Sequence, residues 1–192
     1  LESISNGIKI QANDYKAKSH IRNINNKVNM SFKNNLKTFV INSDDIDFKM
    51  DNFNFDMIFD DINTSTLKKL SNMQHTQYTQ EEKEELALKL FTHGLSLSMK
   101  LNAENIINNK PYLFKFKAKI IDIDVKISVK KHINDGEFMK YITMSGLMKI
   151  DNSLVDLIPL IKQYNTNVVN AISNFDLRYI DEKLYVNDKK VN

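Results

Sequence analysis

The fold is decided by a stretch in the middle of the chain that runs from Tyr112 to Ile150. It reads YLFKFKAKIIDIDVKISVKKHINDGEFMKYITMSGLMKI. In its first half, apolar and charged residues alternate with a period of two, as expected for a β-strand with one buried face. Asn134-Asp135-Gly136 tolerates the positive φ angles that a tight hairpin turn requires. The stretch therefore predicts one long β-hairpin.

The alternation changes phase at Ile120–Ile121, where no Gly or Pro marks a turn. A one-residue change of phase predicts a β-bulge that keeps the apolar residues on the inner face. The alternative is a tight turn at Ile121–Asp122, which would give two short strands. The return strand is predicted from Phe138 to Ile150, and Gly146 within it indicates a bulge or a close approach of backbone.

Composition sets broad limits on the class of protein. The chain has 192 residues, of which 42% are hydrophobic and 27% charged, as in soluble globular proteins. Its net charge of +3 favours neither a nucleic-acid surface nor a strongly anionic membrane. Without cysteine there is no disulfide framework. Because the sequence starts at Leu1, we interpret residues 1–192 as a single-domain fragment whose N-terminal signal or anchor lies upstream.

Residues 1 to 60 alternate in the same way and predict a run of antiparallel strands with one wet face. We expect breaks at Asn13-Asp14, Asn25-Asn26 and Asn34-Asn35, and a turn at Asp51-Asn52, because these pairs are all turn-competent.

Three helices are predicted. The first starts near Asn63 or Thr64, and the second follows a capping box at Thr79–Glu82 and stops at Gly94. A third is expected from Ser153, with a kink or a start near Pro159, and its apolar stripe continues to Phe175. Runs of strands beside a cluster of helices predict an α+β fold. We expect a curved, mostly antiparallel sheet with long hairpins and about three helices packed on one face.

Motifs that could carry chemistry favour structural interpretations. Two D-x-D pairs lie on polar strand faces, and one of the two S-x-x-K matches starts a predicted helix. No two histidines have the spacing of metal ligands. We therefore predict no catalytic residue, no metal site and no cofactor, and expect a protein that is not an enzyme. The motif residues are Asp45 and Asp47, Asp122 and Asp124, Ser65 and Lys68, and Ser128 and Lys131.

Two segments resemble a known family. The first is Phe53–Asn63 with the two helices after it and Gly94-Leu95-Ser96-Leu97, and the second is Phe175–Tyr179 followed by Leu184–Lys189. Together they resemble the YdgA-like family of bacterial cell-envelope proteins of unknown function. Glu182 and Asp188 stand where the family pattern has glycines. The resemblance implies a periplasmic location, anchored to the inner membrane, and no known activity.

Two functions follow as expectations. The first is a non-enzymatic periplasmic domain of a bacterial envelope protein with a binding or scaffolding role. The alternative is a carrier for a lipid or another apolar ligand, because a broad Phe- and Met-rich strand face can line an adaptable pocket. We expect a protein partner or an envelope lipid and no nucleic acid; the oligomeric state is open. The predicted apolar-ligand face comprises Phe114, Phe116, Ile123, Val125, Ile127 and Met144.

Asn63-Thr64-Ser65 is an N-glycosylation sequon, and Asp61 two residues before Asn63 resembles the extended sequon of bacterial periplasmic systems. The favoured interpretation is an Asn at a helix start, and the alternative is that Asn63 carries a glycan in the native host. Intact-mass and peptide mass spectrometry of natively expressed protein should then show a modified Asn63. Fully unmodified Asn63 would leave this residue with a helix-capping role only.

Overall fold

The computed structural model describes residues 2–5, 7–72, 78–92, 94–110, 116–130 and 138–191. Within these ranges the chain forms twelve strands in one antiparallel sheet. The strands are β1 (Glu2–Ser5), β2 (Ile8–Asn13), β3 (Lys16–Ile24), β4 (Lys27–Asn42), β5 (Asp47–Asn63), β6 (Leu95–Asn108), β7 (Phe116–Val129), β8 (Ile142–Asp151), β9 (Val168–Val169), β10 (Ile172–Ile180), β11 (Lys183–Val186) and β12 (Lys189–Lys190).

Within the same described ranges, four helices connect the strands. They are α1 (Thr64–Asn72), α2 (Gln80–Thr92), α3 (Asn152–Val155) and α4 (Pro159–Lys162), with a short 3-10 helix at Phe138–Tyr141. None of those found in the described ranges has the length and hydropathy needed to cross a membrane.

The predicted α+β class is wrong. Among the described residues, strands are far more extensive than helical segments, so the fold is a large antiparallel sheet with small helices. The helices are connections that cover parts of the sheet and do not form a layer of their own. The predicted helix start near Pro159 is confirmed, because Pro159 begins α4. α4 has only four residues, and Val168, Ile172 and Phe175 lie in strands, so the predicted continuation of the third helix to Phe175 is wrong.

The strand order follows the chain closely. It is β1-β2-β4-β5-β6-β7-β8-β10-β11-β12, with β9 beside β10. β2 and β3 lie end to end along the same side of β4, because β2 pairs with the second half of β4 and β3 with the first half. β3 therefore forms a free edge of the sheet, since its partner among the described strands is β4 alone.

Tight turns without glycine close several of the hairpins. In each turn two successive residues have positive φ, as the type I′ hairpin turn requires. Asn and Asp tolerate this conformation best among non-glycine residues. The predicted turn at Asn25-Asn26 is confirmed. The pairs are Asn25-Asn26, Asn170-Ala171, Asp181-Glu182 and Asn187-Asp188.

Two other predicted breaks are wrong. β4 continues through Asn34-Asn35 and β5 continues through Asp51-Asn52. The backbone of β5 is nevertheless irregular at Asp51-Asn52, because Asn52 has a φ of 50°. The break near Asn13-Asp14 is confirmed, although the next strand continues along β4 and does not fold back.

A transverse crease crosses the sheet, and we define it by three residues in the left-handed conformation: Asp14, Asn52 and Asn105, with φ of 52°, 50° and 46°. In a regular strand, residues three apart face opposite sides. Across the crease they share one apolar cluster instead. These pairs are Met50 and Phe53 in β5, Ala103 and Ile106 in β6, and Ala118 and Ile121 in β7.

The crease corrects the prediction for the central hairpin. β7 is continuous, so the alternative turn at Ile121–Asp122 is wrong. The change of apolar face is real, but the register between β6 and β7 is the same on both sides, so β7 holds no extra residue. β5 and β6 change their apolar face at the same place as β7. The predicted hairpin turn at Asn134-Asp135-Gly136 lies outside the described residues.

Asp151, at the end of β8, ties the crease to α3. Its buried carboxylate accepts hydrogen bonds from the backbone N–H of Lys119 at 2.9 Å and of Ser153 at 3.0 Å. Ser153 also donates its hydroxyl to the Lys117 carbonyl at 2.9 Å. Burial raises the pKa of the Asp151 carboxyl, but the hydrogen bonds from Lys119 and Ser153 outweigh it, and the pKa is lowered overall. Leu154 of α3 then packs against both apolar clusters.

We predict that Asp151→Asn lowers the free energy of unfolding by about 2 to 4 kcal/mol, because an amide N–H2 cannot accept from both backbone donors. Since the folded-state pKa lies below the unfolded value, the stabilisation is fully present above about pH 4. It is lost as pH falls through the folded-state pKa. Urea unfolding of both proteins from pH 7 down to pH 3 should show the curves converge in acid. The exposed Asp156→Asn is the control; a pH-independent gap would contradict the prediction.

Candidate apolar-ligand site

One row of apolar side chains crosses the sheet on the face that α1 and α2 cover. Directly paired residues of antiparallel strands lie on the same face. Successive pairs therefore place the members of the row side by side from β3 to β11. The row is Ile21, Met30, Phe59, Leu97, Ile127, Met144, Tyr179 and Leu184.

Capping interactions fix α1 and α2 over this row. The Asn63 side-chain oxygen accepts from the N–H of Ser65 at 3.0 Å and of Thr66 at 3.1 Å, which caps α1. At the start of α2, Thr79 N–H donates to the Glu82 carboxylate at 2.8 Å, and Glu82 N–H donates back to the Thr79 hydroxyl at 3.2 Å. Both predicted helix starts are confirmed.

A cavity of about 350 Å³ lies between this helix pair and the sheet. All of the described side chains that line it are apolar. Ile62 and Val129 are buried, whereas the remainder keep partial access to solvent, so the space communicates with the surface. The lining residues are Met30, Phe59, Ile62, Leu67, Leu90, Leu95, Leu97, Ile127 and Val129.

A second apolar row runs beside the cavity. It contains Phe32, Met57, Met99 and Val125, which are paired in succession across β4 to β7. Phe32 contacts Phe59 of the cavity edge to face, with ring centroids 6.4 Å apart. Methionine is unbranched and adapts its shape readily, so this side of the cavity can adjust to different contents.

The predicted ligand-face residues meet the cavity only in part. Ile127 lines it, and Met144 is paired with Ile127 in the same row. Val125 and Ile123 lie on the same face in the next two rows. Phe116 is at the far end of β7, paired with Asn108. Phe114 lies outside the described residues.

Most of the lining could not be identified as a site from sequence. The alternation of Phe53–Phe59 and of Leu95–Leu101 is visible in the sequence and marks one face of each strand. Which residues of different strands meet depends on register, which this alternation does not specify. Leu67 and Leu90 belong to helical stripes whose orientation over the sheet is equally unspecified.

The opposite face of the sheet is polar and paired in charge. Lys33 and Asp56 form an ion pair at 3.3 Å, and Lys100 and Asp124 form one at 2.6 Å. The hydrogen bond and charge of Asp124 raise the pKa of Lys100. Asp122, the other acid of that D-x-D pair, lies 3.6 Å from Lys149. These carboxylates are therefore engaged with lysines of neighbouring strands.

Ser65 and His20 also have local partners. The Ser65 hydroxyl donates to the Asn63 side chain at 2.7 Å, and His20 accepts from Arg22 at 2.6 Å. Over the described ranges, no group of three or more His, Cys, Asp or Glu side chains is arranged to hold a metal ion. His75, His93, His132 and Lys131 lie outside those ranges.

Comparisons with models of protein families, with curated proteins and with solved structures found no match to this chain.

Gly146 of β8 lies on the apolar face opposite Val125. A Cβ atom at this position would lie 2.8 Å from Val125 Cγ2 and 3.0 Å from the carbonyl oxygen of Asp124. Because Gly146 has no side chain, β7 and β8 keep their spacing although Val125 occupies the space beside it. The predicted close approach of backbone at Gly146 is confirmed.

We predict that Gly146→Ala lowers the free energy of unfolding by about 1 to 3 kcal/mol, because backbone must shift to accept the methyl group. Urea denaturation followed by circular dichroism measures the change. Ser145→Ala, at an exposed neighbouring position of the same strand, should change stability little. Equal effects of the two substitutions would show that the contact with Val125 is not responsible.

Proposed function

We propose that this protein is a non-enzymatic binding module that takes one apolar chain, such as a lipid acyl chain, into the cavity beneath α1 and α2. The observation that carries the proposal is the cavity of about 350 Å³ with its apolar described lining. Ligand pockets in proteins typically span about 300–1,000 Å³. The volume therefore suits a chain of hydrocarbon.

The energetics favour an occupied cavity. Because the cavity communicates with the surface, its apolar lining contacts water when no ligand is bound. A hydrocarbon chain would replace the missing contacts and remove apolar surface from water.

The lining also limits the chemistry of the ligand. A polar group that enters an apolar space without a hydrogen-bonding partner costs several kcal/mol. The described lining offers no such partner. The polar head of a lipid must therefore stay at the mouth, and only its hydrocarbon enters.

The setting that we propose is the periplasmic side of a bacterial envelope. It rests on the resemblance of Phe53–Asn63 and of Phe175–Lys189, with their flanking elements, to the YdgA-like proteins. A scaffolding role without a ligand remains the competing proposal, and the two differ in what co-purifies with the protein. Native mass spectrometry with organic extraction should show a lipid-sized mass for a binding module and an apo mass for a scaffold.

The decisive test fills the cavity. Leu97 lies in the middle of the lining row, between Phe59 and Ile127. We predict that Leu97→Trp weakens binding of the fluorescent fatty acid cis-parinaric acid by about tenfold or more, because the indole occupies the space. Fluorescence titration measures the affinity.

The matched control is Leu147→Trp. Leu147 is 59% exposed and lies on the opposite, polar face, paired with Asp124 and Asp176. This variant should bind cis-parinaric acid as the unaltered protein does. The melting temperature of Leu97→Trp should be maintained, which separates a filled cavity from an unfolded protein. Unchanged binding by Leu97→Trp, or no binding by the unaltered protein, would overturn the proposal.

A further inference from the structure

The free edge formed by β3 is strongly basic. All nine residues of this strand are exposed, and its outer side has no partner strand within the described residues. Lys16, Lys18, His20 and Arg22 alternate along it, and the strand contains no acidic residue. We call β3 with this outer side the basic edge.

The basic edge carries as much positive charge as the net charge of the whole chain. The sequence has 27 Lys and Arg and 24 Asp and Glu, a difference of +3. Lys16, Lys18 and Arg22 lie within one strand that has no acidic residue. The edge is therefore basic although the net charge of the chain is small.

Exposed apolar side chains accompany this charge. Ile21 is 65% exposed, Ile24 53% and Phe32 38%. Ile21 is directly paired with Met30, which lines the cavity. The apolar surface is thus continuous from the cavity to the basic edge, one strand away, or about 5 Å.

We propose that the basic edge docks on the surface of an anionic phospholipid bilayer, which supplies the apolar chain to the cavity. The cations of β3 lie on the polar face with Lys33, whereas Ile21 lies on the cavity face with Met30. At the strand edge both faces can meet such a surface, with the cations at the anionic headgroups. This inference rests on the proposed function for the destination of the chain. The docking itself stands on the charge and exposure of β3.

A second copy of the protein fits this edge poorly. Antiparallel pairing of two β3 strands about His20 would place Lys18 of one copy opposite Arg22 of the other. Like charges in directly opposed positions destabilise a strand pair. Lysines on an edge strand can also serve only to prevent aggregation, and the test includes that outcome.

The test compares vesicles of phosphatidylglycerol and phosphatidylcholine with vesicles of phosphatidylcholine alone, by co-flotation at low salt. We expect binding to the anionic vesicles and little to the neutral ones, and a decrease as salt rises. The triple variant Lys16→Gln, Lys18→Gln, Arg22→Gln should weaken partitioning by about 10- to 100-fold.

The matched control removes three charges at the other end of the sheet, with Lys183→Gln, Lys189→Gln and Lys190→Gln. These lysines are exposed in β11 and β12. The control should partition within about twofold of the unaltered protein, as expected if binding depends on local rather than total charge. Equal weakening by both triple variants would overturn the proposal, as would no binding to anionic vesicles. Aggregation of the β3 variant with undiminished vesicle binding would leave only the anti-aggregation role.

The two proposals fail separately. Leu97→Trp should bind anionic vesicles normally while losing cis-parinaric acid, and the β3 variant should bind cis-parinaric acid normally in solution. Loss of vesicle binding by Leu97→Trp would mean that the bilayer is held through the cavity and would overturn docking through β3. If the unaltered protein bound cis-parinaric acid normally but did not bind anionic vesicles, docking would be overturned and the proposed cavity function would stand.

Discussion

The structure depends on a change of strand phase that neighbouring strands make together. The apolar alternation in the sequence of β7 changes phase at Ile121. If the backbone of the sheet stayed regular there, the apolar residues beyond Ile121 would face the polar side of the sheet. β5 and β6 change phase at the same place, so the apolar cluster of Ala103, Ile106 and Ala118 stays on one side. Asn52 and Asn105 make this possible because they accept positive φ within a strand.

The apolar face has regions with different uses along its length. Near α3 the face is filled, since Phe175 and Val155 are almost completely buried together with Ile150. Under α1 and α2 the same face leaves a cavity. Asp151 holds α3 against the crease by hydrogen bonds to the backbone N–H groups of Lys119 and Ser153, so the filled region has a polar anchor. One sheet thus supplies both a packed core and a binding space.

Sequence reasoning succeeded where a signal is local. The capping residues Asn63 and Thr79 and the turn at Asn25-Asn26 follow from side-chain chemistry within a few residues. It failed where residues with turn chemistry lie inside a strand, because pairing with other strands determines the structure there. Asp51-Asn52 has turn chemistry, and Asn52 does adopt positive φ, but the pairing of β5 with β4 and β6 carries the strand onward.

The third predicted helix failed for a related reason. Apolar residues from Leu154 to Phe175 fit a helical stripe, yet Pro159 supplies no backbone donor and Val168-Val169 favours extended structure. The cavity was only partly predictable, because Ile127 and Met144 could be assigned to apolar faces, whereas the pairing of Ile127 with Leu97 and Met144 depends on register. Strand register is a property of the whole sheet and leaves little trace in any single segment.

The placement of the helix pair has a kinetic consequence. α1 and α2 are the connection between β5 and β6, whereas β3 and β4 are joined by two residues. Closing a long connection costs more chain entropy than closing a hairpin, so the β3–β4 hairpin can form early and the β5–β6 pair late. The late pairing of β5 with β6 joins the two halves of the sheet and also places α1 and α2 over the cavity. A partly folded chain therefore cannot bind a ligand in an incomplete cavity, because the cavity and the complete sheet form in the same step.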